Sequence, residues 1–408
     1  MTTHSLDTVA STLERLARIG GTADGGVTRV AWSPELFEAY AAVGEELRAL
    51  GLEVEIDAAG NLLGRWQSGS GAAMLVGSHL DSVPSGGRFD GALGLVAAVH
   101  AVRLLKEEGF EPSRPIWVAA FMDEEGTRFN AALFGSRAFV GEDVRGLGDR
   151  VDAAGTALAD AMAAAGFALA DVADANRIAE IASYLELHIE QGPVLEEAGL
   201  QIGVVTSIVG LRGYRVRLRG EPNHAGTTPM PLRRDALAGA ARIVLELREA
   251  ARSRESTTAN VGKISVEPGG ANVVPGLAEF TVDVRAATRE AIAEWERTVD
   301  EVVRRVAAEE RLDADVEQTF ALEPLELEPA LVDTVERAAV AVGASARRLP
   351  SGAGHDAMVI GRHVPAAMIF VPSRRGVSHS PDEFTEPDDV EVGMRVLAET
   401  LRLSLRSE

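Results

Sequence analysis

Four polar clusters hold the residues able to do chemistry, and each one trails or ends an apolar run. The first is Gly77-Ser78-His79-Leu80-Asp81, continued by Gly86-Gly87-Arg88-Phe89-Asp90-Gly91. The others are Asp123-Glu124-Glu125-Gly126, His188-Ile189-Glu190-Gln191-Gly192 and Gly376-Val377-Ser378-His379-Ser380. The chain has no cysteine, so thiolate nucleophiles, disulfides and Cys-based zinc sites are excluded, and a transition metal must be held by imidazole and carboxylate. His79, Asp90, Glu125, His188 and His379 form the expected ligand set. Five ligands with one bridging carboxylate suit two ions roughly 3.5–4 Å apart, the arrangement of two-metal hydrolases. Asp81, two residues beyond His79 on a strand end, shares a side with it and can accept its second ring N–H. The side chains of Glu124 and Glu125 diverge, so one can bind metal while the other acts as general base on the attacking water and passes the proton to a leaving amine.

A lone histidine is more often packed or surface-exposed than a ligand, and His4, His100 and His363 are read that way. An Asp-Glu-Glu run alone is usually a solvated loop. The clusters escape those readings because they punctuate successive apolar strands at the same end. In open α/β sheets, ligands bind beyond the carboxyl ends of the strands.

The positioning elements follow from the apolar pattern. Met74-Leu75-Val76, Pro115 to Met122, Tyr184 to Ile189 and Ala366 to Val371 are continuous apolar strands. They alternate with helical stretches such as Gly94 to Glu108, which implies a sheet covered on both faces. Between about 211 and 328 the texture changes. Arg215, Arg217 and Arg219 alternate with Val216 and Leu218, as on a strand with one wet face. A helix from Asp235 to Arg252, strands near 261–267 and 278–285, and a helix from Arg289 to Glu310 complete an inserted α+β unit. The expected division is 1–210 with 329–408 as a catalytic metal-binding domain, and 211–328 as the insertion. The Ala-rich stretch 152–182 reads as helix.

With 408 residues, 46% of them hydrophobic and 25% charged, the composition is that of a globular chain. The formal charge of −22 argues against nucleic-acid or anionic-membrane partners. Asp7, Glu14, Arg15 and Arg18 interrupt the apolar pattern at the start, so no signal-peptide core is expected there, nor is a transmembrane segment anywhere. The expectation is a soluble cytoplasmic protein.

His79-x-Asp81 with Asp90, Asp123-Glu124-Glu125-Gly126 and the later single histidines resemble the M20 peptidase family of di-metal amidohydrolases. Longer strings are similar to its hydantoinase/carbamoylase branch. These are Gly77 to Ser82, Gly86 to Gly91, His188 to Pro193, Asn223-His224-Ala225-Gly226-Thr227-Thr228-Pro229-Met230, and Gly376 to Ser380. The branch contains N-carbamoyl-L-amino-acid hydrolases, allantoate amidohydrolases and β-ureidopropionases. The resemblance, from about residue 50 onward, implies an aminopeptidase-like catalytic domain and a ferredoxin-like lid and dimerisation domain. It places the metal ligands on His79, Asp90, Glu125, His188 and His379, with Asp90 bridging, Glu124 as general base and Asp81 orienting His79. It also implies that His224 reaches a partner subunit's site to stabilise the oxyanion. Asn272 and Arg285 would hold a substrate carboxylate, Gln191 would contact the ureido group, and Gly352, Ala353 and His355 would line the pocket.

The expectation is therefore a homodimeric amidohydrolase with two divalent ions per subunit (Zn, Mn, Co or Ni). It would cleave the C–N bond of an N-carbamoyl carboxylic acid, with an N-carbamoyl-L-amino acid first and allantoate or 3-ureidopropionate as alternatives. A dipeptidase or deacylase of the same fold, and a non-catalytic metal-binding dimer, are the more distant readings.

Overall fold

A computed structural model describes residues 8–406. The chain divides into two compact units: 1–206 with 327–349 and 353–408, and 207–326 with 350–352.

In the first unit the four apolar runs become strands Ala73–His79, Ile116–Phe121, Ile181–Ile189 and Ala366–Val371. Three are fully buried along their length and the fourth, Ile181–Ile189, over its last six residues, as expected of strands covered on both faces. They are neighbours in one sheet, in the order 116–121, 73–79, 181–189, 366–371, and every pairing among them is parallel. Their carboxyl ends therefore lie at one edge. Strand Leu62–Trp66 pairs antiparallel outside 116–121, and Ile202–Ile208 pairs antiparallel with 366–371. Helix Ala92–Glu107 packs on strands 73–79 and 181–189, and helix Pro387–Leu405 packs on it and on Pro329–Val342. Among the described residues no helix is long and apolar enough to cross a membrane.

The second unit is an antiparallel sheet with strand order 264–267, 277–286, 210–219, 313–322, and Thr257–Asn260 pairs beside 277–286. Helices Ala236–Arg252 and Arg289–Glu310 pack on it around Trp295, Phe280 and Val216. On the other face Arg217 stands opposite Glu279 and Arg215 opposite Glu317, so the charges of the wet face are satisfied across strands.

The stretch 152–182 departs from the helical expectation. It holds a seven-residue helix, Leu158–Ala164, then 3₁₀ turns at Leu169–Ala175 and Ile178–Glu180. Gly166, at φ 91°, breaks the α-helix, and alanine content alone does not carry helix across a left-handed residue. The strand expected near 261–267 is Ile264–Glu267, and a separate short strand, Thr257–Asn260, precedes it.

Helix 92–107 reaches the sheet closely at Gly94, where an added Cβ would stand 2.1 Å from the Leu187 carbonyl. Gly94→Ala should lower unfolding free energy by about 1–3 kcal/mol, as overpacking does. Gly146→Ala, with nothing within 4 Å of the new Cβ, should change it little. Equal urea midpoints for the two variants would contradict this packing.

Candidate metal centre

Among the described residues three groups of possible ligands converge near the edge of the four parallel strands; one is Glu186, His188 and His355, and the other two are His79, Asp90 and His188, and Asp90, Glu125 and His379. Asp90 belongs to both of the latter. Its Oδ1 faces Nε2 of His79 at 3.5 Å and Nε2 of His188 at 3.2 Å. Its Oδ2 faces Nε2 of His379 at 3.3 Å, and that nitrogen lies 3.5 Å from Oε1 of Glu125. The remaining ring nitrogens are fixed by main-chain acceptors. Nδ1 of His188 donates to the Ile189 carbonyl at 2.9 Å, and Nδ1 of His79 to the Asp81 carbonyl at 3.0 Å. Both rings thus present Nε2 to the centre.

Asp81 differs from the sequence expectation in one respect. Its carboxylate lies 3.7 Å from the His79 ring and accepts instead the N–H groups of Glu124 and Glu125, each at 3.2 Å. The reason is reach: the Asp81 carbonyl already occupies the Nδ1 direction. Asp81 therefore holds the histidine with its main chain and the two glutamates with its side chain. Those glutamates diverge. Oε1 of Glu125 faces His379, whereas Oε2 of Glu124 is 3.9 Å from His79.

The local backbone is strained where the ligands sit. Asp123, Gln191 and His379 have φ of 56°, 57° and 54°, a region non-glycine residues seldom adopt. Gly91 has φ 62°, and a Cβ there would stand 2.3 Å from the His79 ring, so only glycine fits.

Gln191 donates to Oδ2 of Asp90 at 2.8 Å, and its own Oε1 is buried with no hydrogen-bond partner. The buried His355 ring packs against His188 with centroids 4.5 Å apart, and Ala353 lies two residues before it. The other sequence candidates belong to the second unit. His224, on strand Asn223–His224, is exposed; its Nδ1 accepts the N–H groups of Gly226 (3.1 Å) and Thr227 (3.2 Å). This places the ring proton on Nε2 and makes that atom an outward donor. The Asn272 main-chain carbonyl accepts the Ala225 N–H at 2.9 Å. Arg285 is held by Asp283 at 3.1 Å and by the Gly352 carbonyl at 3.0 Å. Of the histidines set aside, His100 is buried 3.1 Å from the Thr12 hydroxyl, His363 follows the helix Asp356–Ile360 in a turn, and His4 lies outside the described residues.

Sequence reasoning missed Glu186. It lies in the buried strand two residues before His188, and its carboxylate accepts the Ser78 hydroxyl (2.7 Å) and the Ala357 N–H (3.0 Å). An acid inside an otherwise apolar run was the available signal.

Burial pushes the carboxyls of Glu124, Asp123 and Asp356 well up, and that of Glu125 to about 7, with Asp90 adding to the last. Burial opposes a proton on His79 and His188, but contact with Asp90 outweighs it and raises both. Its hydrogen bond to Asp90 draws His379 up to about 9. Glu124, Glu125 and the three histidines thus hold protons more tightly than usual, whereas their contacts hold the Asp90 carboxyl well below the usual range. Imidazole nitrogens and carboxylate oxygens, with Oε1 of Glu125 accepting no hydrogen bond, fit divalent transition metals.

Comparisons with known proteins agree with this chemistry. The Peptidase family M20/M25/M40 profile matches residues 75–403. An N-carbamoyl-L-amino-acid amidohydrolase of Paenarthrobacter aurescens is 40% identical over 382 residues, 92% of this chain and 93% of that one. An allantoate amidohydrolase of Bacillus subtilis is 38% identical over 404 residues, 97% of each. The crystal structure of an amidase of the hydantoinase/carbamoylase family from Burkholderia multivorans superposes with a TM-score of 0.90 at 35% identity, covering 96% of both chains.

The pH dependence of stability follows from the protons held at the centre. Glu125 keeps its proton to about 7 against an ordinary 4.5, and His379 to about 9 against 6.5. The folded state therefore binds more protons than the unfolded chain, and stability is lost as pH rises through those windows. The melting temperature of chelator-treated protein should fall from about pH 5 to about pH 9, and saturating Zn²⁺ should flatten the fall by replacing the protons. A metal-free protein that grows more stable across that range would contradict the electrostatics of the site.

Proposed function

The chain belongs to the M20/M25/M40 peptidase family, and on that premise we propose that it is a metal-dependent amidohydrolase cleaving the C–N bond of an N-carbamoyl carboxylic acid. An N-carbamoyl-L-amino acid is the favoured substrate. The observation that carries the reading is the pair of ligand groups sharing Asp90, with Glu124 beside one of them and not a member of either. His79 and His188 would hold one divalent ion, Glu125 and His379 the other, and Asp90 both. Ions so held supply Lewis acidity towards a carbonyl oxygen and lower the pKa of water.

In this reading the protein's own residues do the rest. Glu124, a partly buried carboxyl with a raised pKa, takes the proton of the attacking water as the carbamoyl carbon becomes tetrahedral, then delivers it to the leaving nitrogen. The released carbamate breaks down to carbon dioxide and ammonia. His224, with its ring proton on the outward Nε2, suits a developing oxyanion, and the resemblance assigns this service to the partner subunit of a homodimer. Arg285, prealigned by Asp283 and Gly352, offers its guanidinium to the substrate carboxylate beside Asn272. Gln191 would turn from Asp90 to the ureido group, and Gly352, Ala353 and His355 would line the pocket.

An ammonia-release screen over N-carbamoyl-amino acids, allantoate and 3-ureidopropionate, with metal-stripped and reloaded enzyme, tests this function. Metal-dependent ammonia release, highest on a carbamoyl-amino acid, is expected. Highest turnover of allantoate would move the substrate to the ureide named for the Bacillus relative, and dipeptide cleavage without ammonia would overturn the reading. Glu124→Gln should keep its metal while losing about 10²–10⁴ in kcat. Loss of metal would show that Glu124 and Glu125 have been assigned in reverse. Arg285→Lys should raise KM for the carboxylate substrate but leave an amide analogue almost unaffected, because only the planar fork grips a carboxylate in two places. Equal damage to both would make Arg285 structural.

A further inference from the structure

Glu383 lies four residues beyond His379, only 2% exposed, and has no role in the chemistry above. Its carboxylate is nonetheless fully engaged. Oε1 accepts the main-chain N–H groups of Phe89 at 2.9 Å and Asp90 at 3.0 Å. Oε2 accepts the Ser378 hydroxyl at 2.9 Å. That hydroxyl is also 3.0 Å from Oδ2 of Asp90, and having one hydrogen it serves one carboxylate at a time. One side chain thus grips the backbone of Asp90 and, through Ser378, the loop that carries His379.

The surrounding sequence is shaped to this contact. A Cβ at Gly87 would stand 1.9 Å from Oε1 of Glu383, so the loop is bare where the acid crosses it. Burying a second carboxylate next to Asp90 is costly, and an apolar residue would fill the same space without that cost. The acid is accounted for by what it holds. The same two loops also meet through Phe89 and Phe384, whose rings pack edge to face at 5.7 Å. This apolar contact does not depend on the carboxylate.

We propose that Glu383 is a positioning residue for the metal centre: it fixes the Asp90 carboxylate and the His379 loop against each other, so that one carboxylate serves both ligand groups. The role rests on the proposed metal centre. It is separate from catalysis, because Glu383 belongs to neither ligand group and its carboxylate is engaged by main-chain N–H groups and Ser378.

The test is titration of chelator-stripped protein with Zn²⁺, read by competition with a chromogenic chelator, alongside melting of the metal-free protein. Wild type should take up two ions per subunit. Glu383→Ala should bind both ions about 10–100-fold more weakly, the usual cost of losing a residue that orients ligands. Glu383→Gln, whose amide oxygen can still accept both N–H groups, should recover most of the affinity; Glu383→Asp, one methylene short, should not. Wild type that binds no ion would overturn the metal centre, and this role with it. Wild-type binding together with an unchanged affinity in Glu383→Ala would overturn this role alone. A residue that merely stabilised the fold would lower the metal-free melting temperature while leaving affinity per folded molecule intact, and that result would also overturn it. Should Glu383→Ala fail to fold, the Gln and Asp variants decide, and equal affinities for those two would count against the proposal.

Discussion

Asp90 is 6% exposed, and Asp81, Asp123, Glu186, Asp356 and Glu383 are further buried acids of the same unit. Carboxylates cannot be collected in a protein interior unless something neutralises them, because each ion removed from water costs several kcal/mol. Three imidazoles facing Asp90 supply part of the answer, and burial, which favours the neutral carboxyl at Asp123 and Asp356, adds to it. Metal ions held as proposed above would complete it. The need to neutralise this cluster explains why the chain carries so many costly features at one edge of a sheet.

The sheet meets that need by geometry. Parallel strands put their carboxyl ends at a common edge, so residues distant in sequence, from His79 to His379, arrive together. Precision then comes from the layer behind the ligands. The carbonyls of Asp81 and Ile189 set the histidine rings, the Asp81 carboxylate sets the glutamate loop, and left-handed backbone at Asp123, Gln191 and His379 aims the turns. The strain is tolerable because each turn is held from several directions.

Much of this was legible in the sequence, for physical reasons. Buried parallel strands are written as unbroken apolar runs, and polar clusters at their ends stand out against them, so the run Ala366–Val371 coincides with its strand; the amphipathic repeat between about Arg289 and Glu310 likewise marks its helix. The stretch 152–182 was not, because alanine favours helix only until a residue such as Gly166 needs a left-handed backbone. The carboxylate role of Asp81 escaped because spacing shows which residues are near, not whether a carbonyl or a side chain reaches first. Glu186 and Glu383 were passed over as ordinary acids; only their burial and their partners distinguish them. The tautomer of His224 depends on two backbone N–H groups that no motif encodes.

The central claim is that one carboxylate, Asp90, joins two metal ions. Crystals of the zinc-loaded protein, with data collected at the zinc absorption edge, test it most directly. The account predicts two anomalous peaks per subunit, one on the His79 and His188 side and one on the Glu125 and His379 side, each about 2.0–2.2 Å from an oxygen of Asp90. A single peak, or two peaks of which only one touches Asp90, would contradict it.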